Sequence, residues 1–253
     1  MHFLSGFADI TLAQVLVVAV TALVMSLVGG VTGYGTGVLM PLVLVPIVGA
    51  QAIVPIIAIS AMFTNTSRAT AFRHALDLRR ALIVLIFAAP TCILGAYGFT
   101  LLTGSGVLIL IGLTLVLSVP LRRIAQHRGL TIGERGLAIG SVGYGVLVGG
   151  TKGSGVVLLS ILMASGLAGA QVIATDALIS IVLGVVKIAV FGIAGVITPK
   201  VIAFALVIGI VAFPGAFVAK ALVDRLPVHV HTMIFDGIIL VGGFYLIVSA
   251  FLR

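Results

Sequence analysis

Gly29-Gly30-Val31-Thr32-Gly33-Tyr34-Gly35-Thr36-Gly37-Val38-Leu39 interrupts a hydrophobic run where a membrane-crossing helix would otherwise continue. Beginning 120 residues later the interruption recurs as Gly149-Gly150-Thr151-Lys152-Gly153-Ser154-Gly155-Val156-Val157. Paired helix breaks at corresponding places in the two halves of a membrane protein are the best sequence pointer to a transport site.

The surrounding composition sets the class. Of 253 residues, 61% are hydrophobic and only 8% charged, where a soluble domain carries about 25% charged residues. Mean hydropathy is +1.40. Such a chain cannot cover a water-facing surface, so it is predicted to be an all-α integral membrane protein. Ala81–Leu102 alone runs 22 residues without a charge, enough to cross a hydrocarbon core about 30 Å thick. The 32 glycines suit close helix packing and broken helices.

The net charge of +8 does not call for nucleic acid. Eight of the fourteen Lys/Arg lie in two short stretches, Arg68, Arg73, Arg79, Arg80 and Arg122, Arg123, Arg128, Arg135. Basic residues clustered in short inter-helix loops mark the cytoplasmic side. Cys92 is the single cysteine, which excludes an intrachain disulfide and a cysteine metal site. His229 and His231 are the only close histidine pair, read as a wet helix end; no metal and no cofactor is predicted. The N-terminus lacks basic residues before its apolar run and reads as a retained first segment rather than a removed signal.

Apolar runs and breakers predict segments at roughly 10–28, 38–48, 51–72, 81–102, 105–121, 135–148, 155–165, 170–195, 201–222 and 231–251. The second half repeats the first. Gly35-Thr36-Gly37-Val38 matches Gly153-Ser154-Gly155-Val156, Gly49-Ala50-Gln51 matches Gly169-Ala170-Gln171, and Gly95-Ala96-Tyr97 matches Gly215-Ala216-Phe217. We expect a first repeat at 1–121, a basic cytoplasmic linker at 122–134 and a second repeat at 135–253. The runs 38–48 and 155–165 are 11 residues, about 16 Å at helical rise, and barely half-cross. Each glycine element is either a re-entrant hairpin or a broken helix beside about three full crossings, giving eight to ten membrane segments. Either count before the linker is odd, so the second half is inverted and both termini are expected outside.

Irregular backbone at membrane depth survives only where protein or a water-filled cavity satisfies it. A helix starting just after each element presents free N–H groups and partial positive charge. Glycines let a ligand approach that backbone closely. The expected product is a pair of anion cradles near the midplane: Thr32, Gly33, Tyr34, Gly35, Thr36 and Gly37 in the first half, Thr151, Lys152, Gly153, Ser154 and Gly155 in the second. Lys152, expensive in apolar surroundings without a partner or a function, is the expected countercharge. Gln51 and Gln171 are symmetric amides, and Asn65 with Arg68 forms a polar tip. Asp176, Lys187 and Asp236 are candidates for an ion or proton relay. Asp176 is also a candidate structural partner for Lys187, three turns on, or for Lys152.

The two glycine elements, the repeat and the basic linker resemble the TauE/SafE family of sulfite exporters, over essentially the whole chain. The family's element looks like Gly-x-Gly-Gly-Gly followed by an apolar run and Pro. Here Gly33-Tyr34-Gly35-Thr36-Gly37 with Pro41 replaces the middle glycine, and Thr151-Lys152-Gly153-Ser154-Gly155 has Leu159 where proline would fall. The resemblance implies a multi-pass inner-membrane permease for sulfite or related sulfur-containing anions, with the lipid bilayer as surroundings and H+ as a candidate coupling ion. A passive anion channel of the same architecture remains the alternative. An intramembrane enzyme is not expected: Lys152 and Ser154 have no His or Asp in the same element, and residues two apart on a helix do not face each other.

Overall fold

The computed structural model describes residues 10–32, 36–128, 131–151, 154–215, 217–218 and 228–252. Within these, side-chain surroundings are not described at 28–32, 36–39, 118, 121–128 and 228–239. Ten α-helices form the described part: α1 Leu12–Thr32, α2 Thr36–Val48, α3 Ala50–Ala71, α4 Leu78–Thr100, α5 Gly104–Arg128, α6 Glu134–Gly150, α7 Gly155–Ala164, α8 Ala170–Ile193, α9 Pro199–Ala212 and α10 Val228–Phe251. A 3-10 turn at Arg73–Ala75 joins α3 to α4. Helices α3, α4 and α8 are each long and apolar enough to cross a membrane.

Side-chain size places α4 in its layer. Leu82, Ile86, Ile93 and Tyr97 are large and exposed, the outward stripe of a lipid-facing helix. Ala81, Ala88, Cys92 and Ala96 are small and fully buried. That small-residue face lets α6 approach to backbone contact. A Cβ at Gly149 would lie 2.3 Å from the Cys92 carbonyl oxygen, and one at Gly95 would lie 2.1 Å from that of Val146.

This close approach revises the first segment ends. Helices α1 and α6 run through Gly29-Gly30 and Gly149-Gly150 instead of stopping before them. Gly149 and Gly150 are helix-packing residues, and the breaks lie later, after Thr32 and after Gly150. Helix α9 also departs from the expected 201–222 run. It ends at Ala212, because Pro214 has no N–H to continue the ladder. Helix α5 continues to Arg128, so most of the expected linker is helical.

The two halves pack as equivalents. Helix α4 packs on α6 as α9 packs on α1; α4 on α8 as α9 on α3; α5 on α7 as α10 on α2. A Cβ at Gly215 would strike Ser26 at 2.1 Å, and these residues are the 120-residue counterparts of Gly95 and Val146. Gly49 and Gly169, also counterparts, start α3 and α8 with positive φ of 80° and 52°, where only glycine is unstrained.

Direction completes the relation. The equivalent helices α3 and α8 run antiparallel: the Met62 sulfur faces Gly184 while Arg68 meets Asp176. Equivalent α5 and α10 do likewise, Gly112 approaching Ile247 and Val116 approaching Gly243. A pseudo-two-fold along the membrane normal would leave equivalent helices parallel. Antiparallel equivalents require an axis in the membrane plane, an inverted-topology repeat.

Candidate anion-binding site

Helix α6 ends against the α4 residues around Gly95, and Thr151 follows in extended backbone, φ −131° and ψ 172°. The Thr151 hydroxyl donates to the Leu147 carbonyl at 2.6 Å. Ser154, buried, precedes α7, and its carbonyl accepts from Val157 at 2.9 Å. Into this break α8 sends Lys187. Its side chain is buried, and Nζ donates to the Val148 carbonyl at 2.6 Å and the Thr151 carbonyl at 3.2 Å. A helix C-terminus leaves four carbonyls unsatisfied and carries partial negative charge, which is what the ammonium meets. The candidate pairing of Asp176 with Lys187 does not form, and the alternative with Lys152 lies outside the described residues. Eleven residues on one helix are about 16 Å apart, beyond the reach of the two side chains.

Asp176 instead meets Arg68 at 2.9 Å, with side-chain exposures of 3% and 11%. The Arg68 guanidinium also donates to Asn65 Oδ1 at 2.6 Å. Two other groups sequence reasoning passed over belong here. Tyr144 of α6 is buried in the core that α6 shares with α4 and α8. Thr175 accepts from the Asp77 amide at 3.1 Å, tying α8 to the turn before α4. A tyrosine and a threonine in otherwise apolar helices were the available signal; only packing shows them turned inward.

The candidate residues therefore divide by depth. Thr151, Ser154, Gly155 and Lys187 gather at the α6–α7 break. Asn65, Arg68 and Asp176 form a second cluster at the end of the molecule that carries Asp77, Arg79 and Arg80. At that end Arg79 pairs with Glu134 at 2.7 Å, and Asp77 caps α4 through the Arg80 amide at 2.9 Å. The Arg80 amide, and then its guanidinium, hold the Asp77 carboxyl below its ordinary pKa.

Gln51 and Gln171 join neither cluster. Both are exposed at helix starts, and because α3 and α8 are antiparallel they lie at opposite ends. Gln51, with Thr103 and Ser105, lines an open cavity of about 420 Å³ between the α2–α3 and α4–α5 connections. Arg68 and Lys187 are one residue out of register as repeat counterparts. At 120 residues Arg68 corresponds to Ile188, and Lys187 to Ser67. Gly33, Tyr34, Gly35, Lys152 and Gly153 lie outside the described residues. Thr32, Thr36, Gly37 and Asp236 are placed as helix backbone without described side chains. Among the described residues no cluster of His, Cys, Asp or Glu suits a metal.

Comparison with known proteins adds the family. No curated protein and no solved structure matches the chain. The family model for the sulfite exporter TauE/SafE matches residues 18–246. That span takes in both helix breaks and all but the outer ends of α1 and α10, so the chain is a multi-pass membrane transporter and belongs to the TauE/SafE sulfite exporter family.

Proposed function

We propose that the chain is a secondary transporter of sulfite or a related sulfur-containing organic anion, binding it at the glycine-rich breaks and exposing it to each side in turn. The observation that carries this reading is the α6–α7 break. Buried backbone is interrupted there, the α7 N-terminus opens onto it, and a buried lysine stands beside it. Helix N-termini favour anions through free N–H groups and the dipole. The inverted relation of the halves suits alternating access, one half rocking against the other about a shared site.

The basic end of the molecule, with Arg73, Arg79, Arg80 and Arg135, is assigned to the cytoplasm by the positive-inside rule. Both termini then lie outside, and the membrane is the inner membrane. The repeats are assigned to 1–121 and 135–253 with 122–134 between. Asp176, held by Arg68, and Lys187 are too far apart for direct proton transfer, so any H+ coupling through them, or through Asp236, runs by way of intervening groups.

Ligand-induced stabilisation of the purified protein ranks the substrates. A ligand that binds only the folded state raises stability with the logarithm of its concentration. Sulfite, sulfoacetate and taurine are expected to raise the midpoint of thermal unfolding above that in chloride. No response to any sulfur anion, with a clear response to a carboxylate, would reassign the substrate class.

A further inference from the structure

Among the described residues, buried apolar side chains gather into two cores. The first draws on α1, α2, α3, α5, α9 and α10, the second on α4, α6, α7 and α8. Each core therefore mixes helices of both repeats. The far ends of α4 and α8 leave the second core for the first, through Ala96, Phe99 and Phe191. The Phe99 and Phe191 rings lie 5.6 Å apart there.

Helix α3 changes character along its length. Residues 50–58 supply the first core, together with Ile188 and Phe191 of α8. Residues 60–71 contribute no side chain to either core. What this half of α3 buries is polar: Ser60, Asn65 and Ser67. It runs beside the part of α8 that belongs to the second core, and there Arg68 meets Asp176 at 2.9 Å. Asn65 Oδ1 holds the same guanidinium at 2.6 Å. The other described ion pairs, Arg79 with Glu134 and Arg80 with Asp77, join elements of the second core's own side. Arg68–Asp176 crosses from one side to the other.

The two halves of the α3–α8 contact differ in how readily they part. Opening an apolar contact exposes hydrocarbon to water and is always opposed. A buried ion pair is nearly balanced: closing strips water from both charges, their attraction offsets that, and opening returns the water. The repeat counterparts of Arg68 and Asp176 are Ile188 and Ile56, both packed in the first core. One half is thus fused by hydrocarbon and the other is held by a contact that can break at small net cost. We infer that Arg68–Asp176 is the latch of a gate at the end assigned to the cytoplasm. The two cores part there and hinge at the apolar half of the contact. The described conformation has this gate closed. The inference rests on the alternating-access reading above and adds where the chain opens inward and which residues hold it shut.

Arg68→Ile combined with Asp176→Ile gives the gate the apolar contact that the hinge already has. This variant is expected to unfold near the wild-type temperature. Its sulfite counterflow in proteoliposomes should nevertheless fall about tenfold or more, because opening would expose part of two isoleucine side chains. A pair that served only to hold the fold would leave counterflow unchanged in so stable a variant. Spin labels at Thr70→Cys and Ala170→Cys read the opening directly. Both positions are exposed and lie at the gate end, on α3 and α8. Cys92, the chain's own cysteine, is fully buried, and the chain without the added cysteines gives the background. With the ion pair intact, two label distances are expected, in proportions that sulfite shifts. With the two isoleucines, only the shorter should remain.

A folded double-isoleucine variant with wild-type counterflow would overturn the inference. So would a single label distance in the chain with the pair intact, with and without sulfite; this measurement stands even where the isoleucine variant fails to fold. Wild-type protein that moves no anion would remove the transport reading by itself. Two distances that collapse to the shorter one in the isoleucine variant would then still support the gate, and a single distance would remove it as well.

Discussion

Arg68 and Asp176 join equivalent helices of the two halves through a single buried pair, and their repeat counterparts are Ile188 and Ile56. One end of the α3–α8 contact is thus tied by charge, and the other carries isoleucines in the apolar core. Removing one partner of a buried pair strands a charge and costs about 3–5 kcal/mol, whereas replacing both by apolar groups is often neutral. Asp176→Asn alone is expected to lower the thermal midpoint markedly. Arg68→Ile combined with Asp176→Ile should recover most of that loss; a double variant as unstable as the single would contradict the pairing. Asp77 gives a pH dependence of known sign. Its folded pKa is depressed, so its contribution is complete above the unfolded value of about 4. It is lost as pH falls through the lower folded value. The drop in thermal midpoint on acidification should be shallower in Asp77→Ala than in wild type. An equal slope would mean the cap does not titrate with folding.

Helices are held at the closest approach that glycine permits. Along α6, Gly145 and Gly149 face α4, where a Cβ would meet the Ala88 and Cys92 carbonyl oxygens at 2.4 and 2.3 Å. Gly143 on the same helix has open space around its missing Cβ. Gly149→Ala is expected to destabilise by about 1–3 kcal/mol through overpacking. Gly143→Ala should leave the thermal midpoint unchanged or slightly raised, and comparing the two midpoints checks the α4–α6 interface. Ten segments were legible in the sequence because apolar runs and glycine or proline breakers mark helices directly. Their ends were not. Gly29-Gly30 and Gly149-Gly150 look like breakers, and only the neighbouring helix reveals that Gly149 and Gly150 pack inside α6. The polar residues were legible as unusual, while their partners were not. Lys187 and Asp176 share a face of α8, but the distance along the helix sends one to the α6 carbonyls and the other to α3.

Across the whole molecule, the 120-residue repeat predicts two like halves and the odd segment count predicts their inversion. The antiparallel packing of α3 on α8 and of α5 on α10 is the physical form of that inversion. Symmetry is broken where chemistry is expected, with a lysine at one break and an arginine–aspartate pair at one end. The site's depth was the least legible quantity. Thr151 follows an α6 terminus packed beside Gly95, about 9 Å along the helix axis from the midpoint of α4 at helical rise.

The central claim is that these halves carry an anion across by exchanging access. Its most direct test is counterflow of labelled sulfite into proteoliposomes preloaded with unlabelled sulfite. The account predicts uptake that saturates with external sulfite and is accelerated by the internal anion. Uptake that rises linearly with concentration and ignores the internal anion would mean a pore, and no uptake of any anion by folded protein would contradict the account outright.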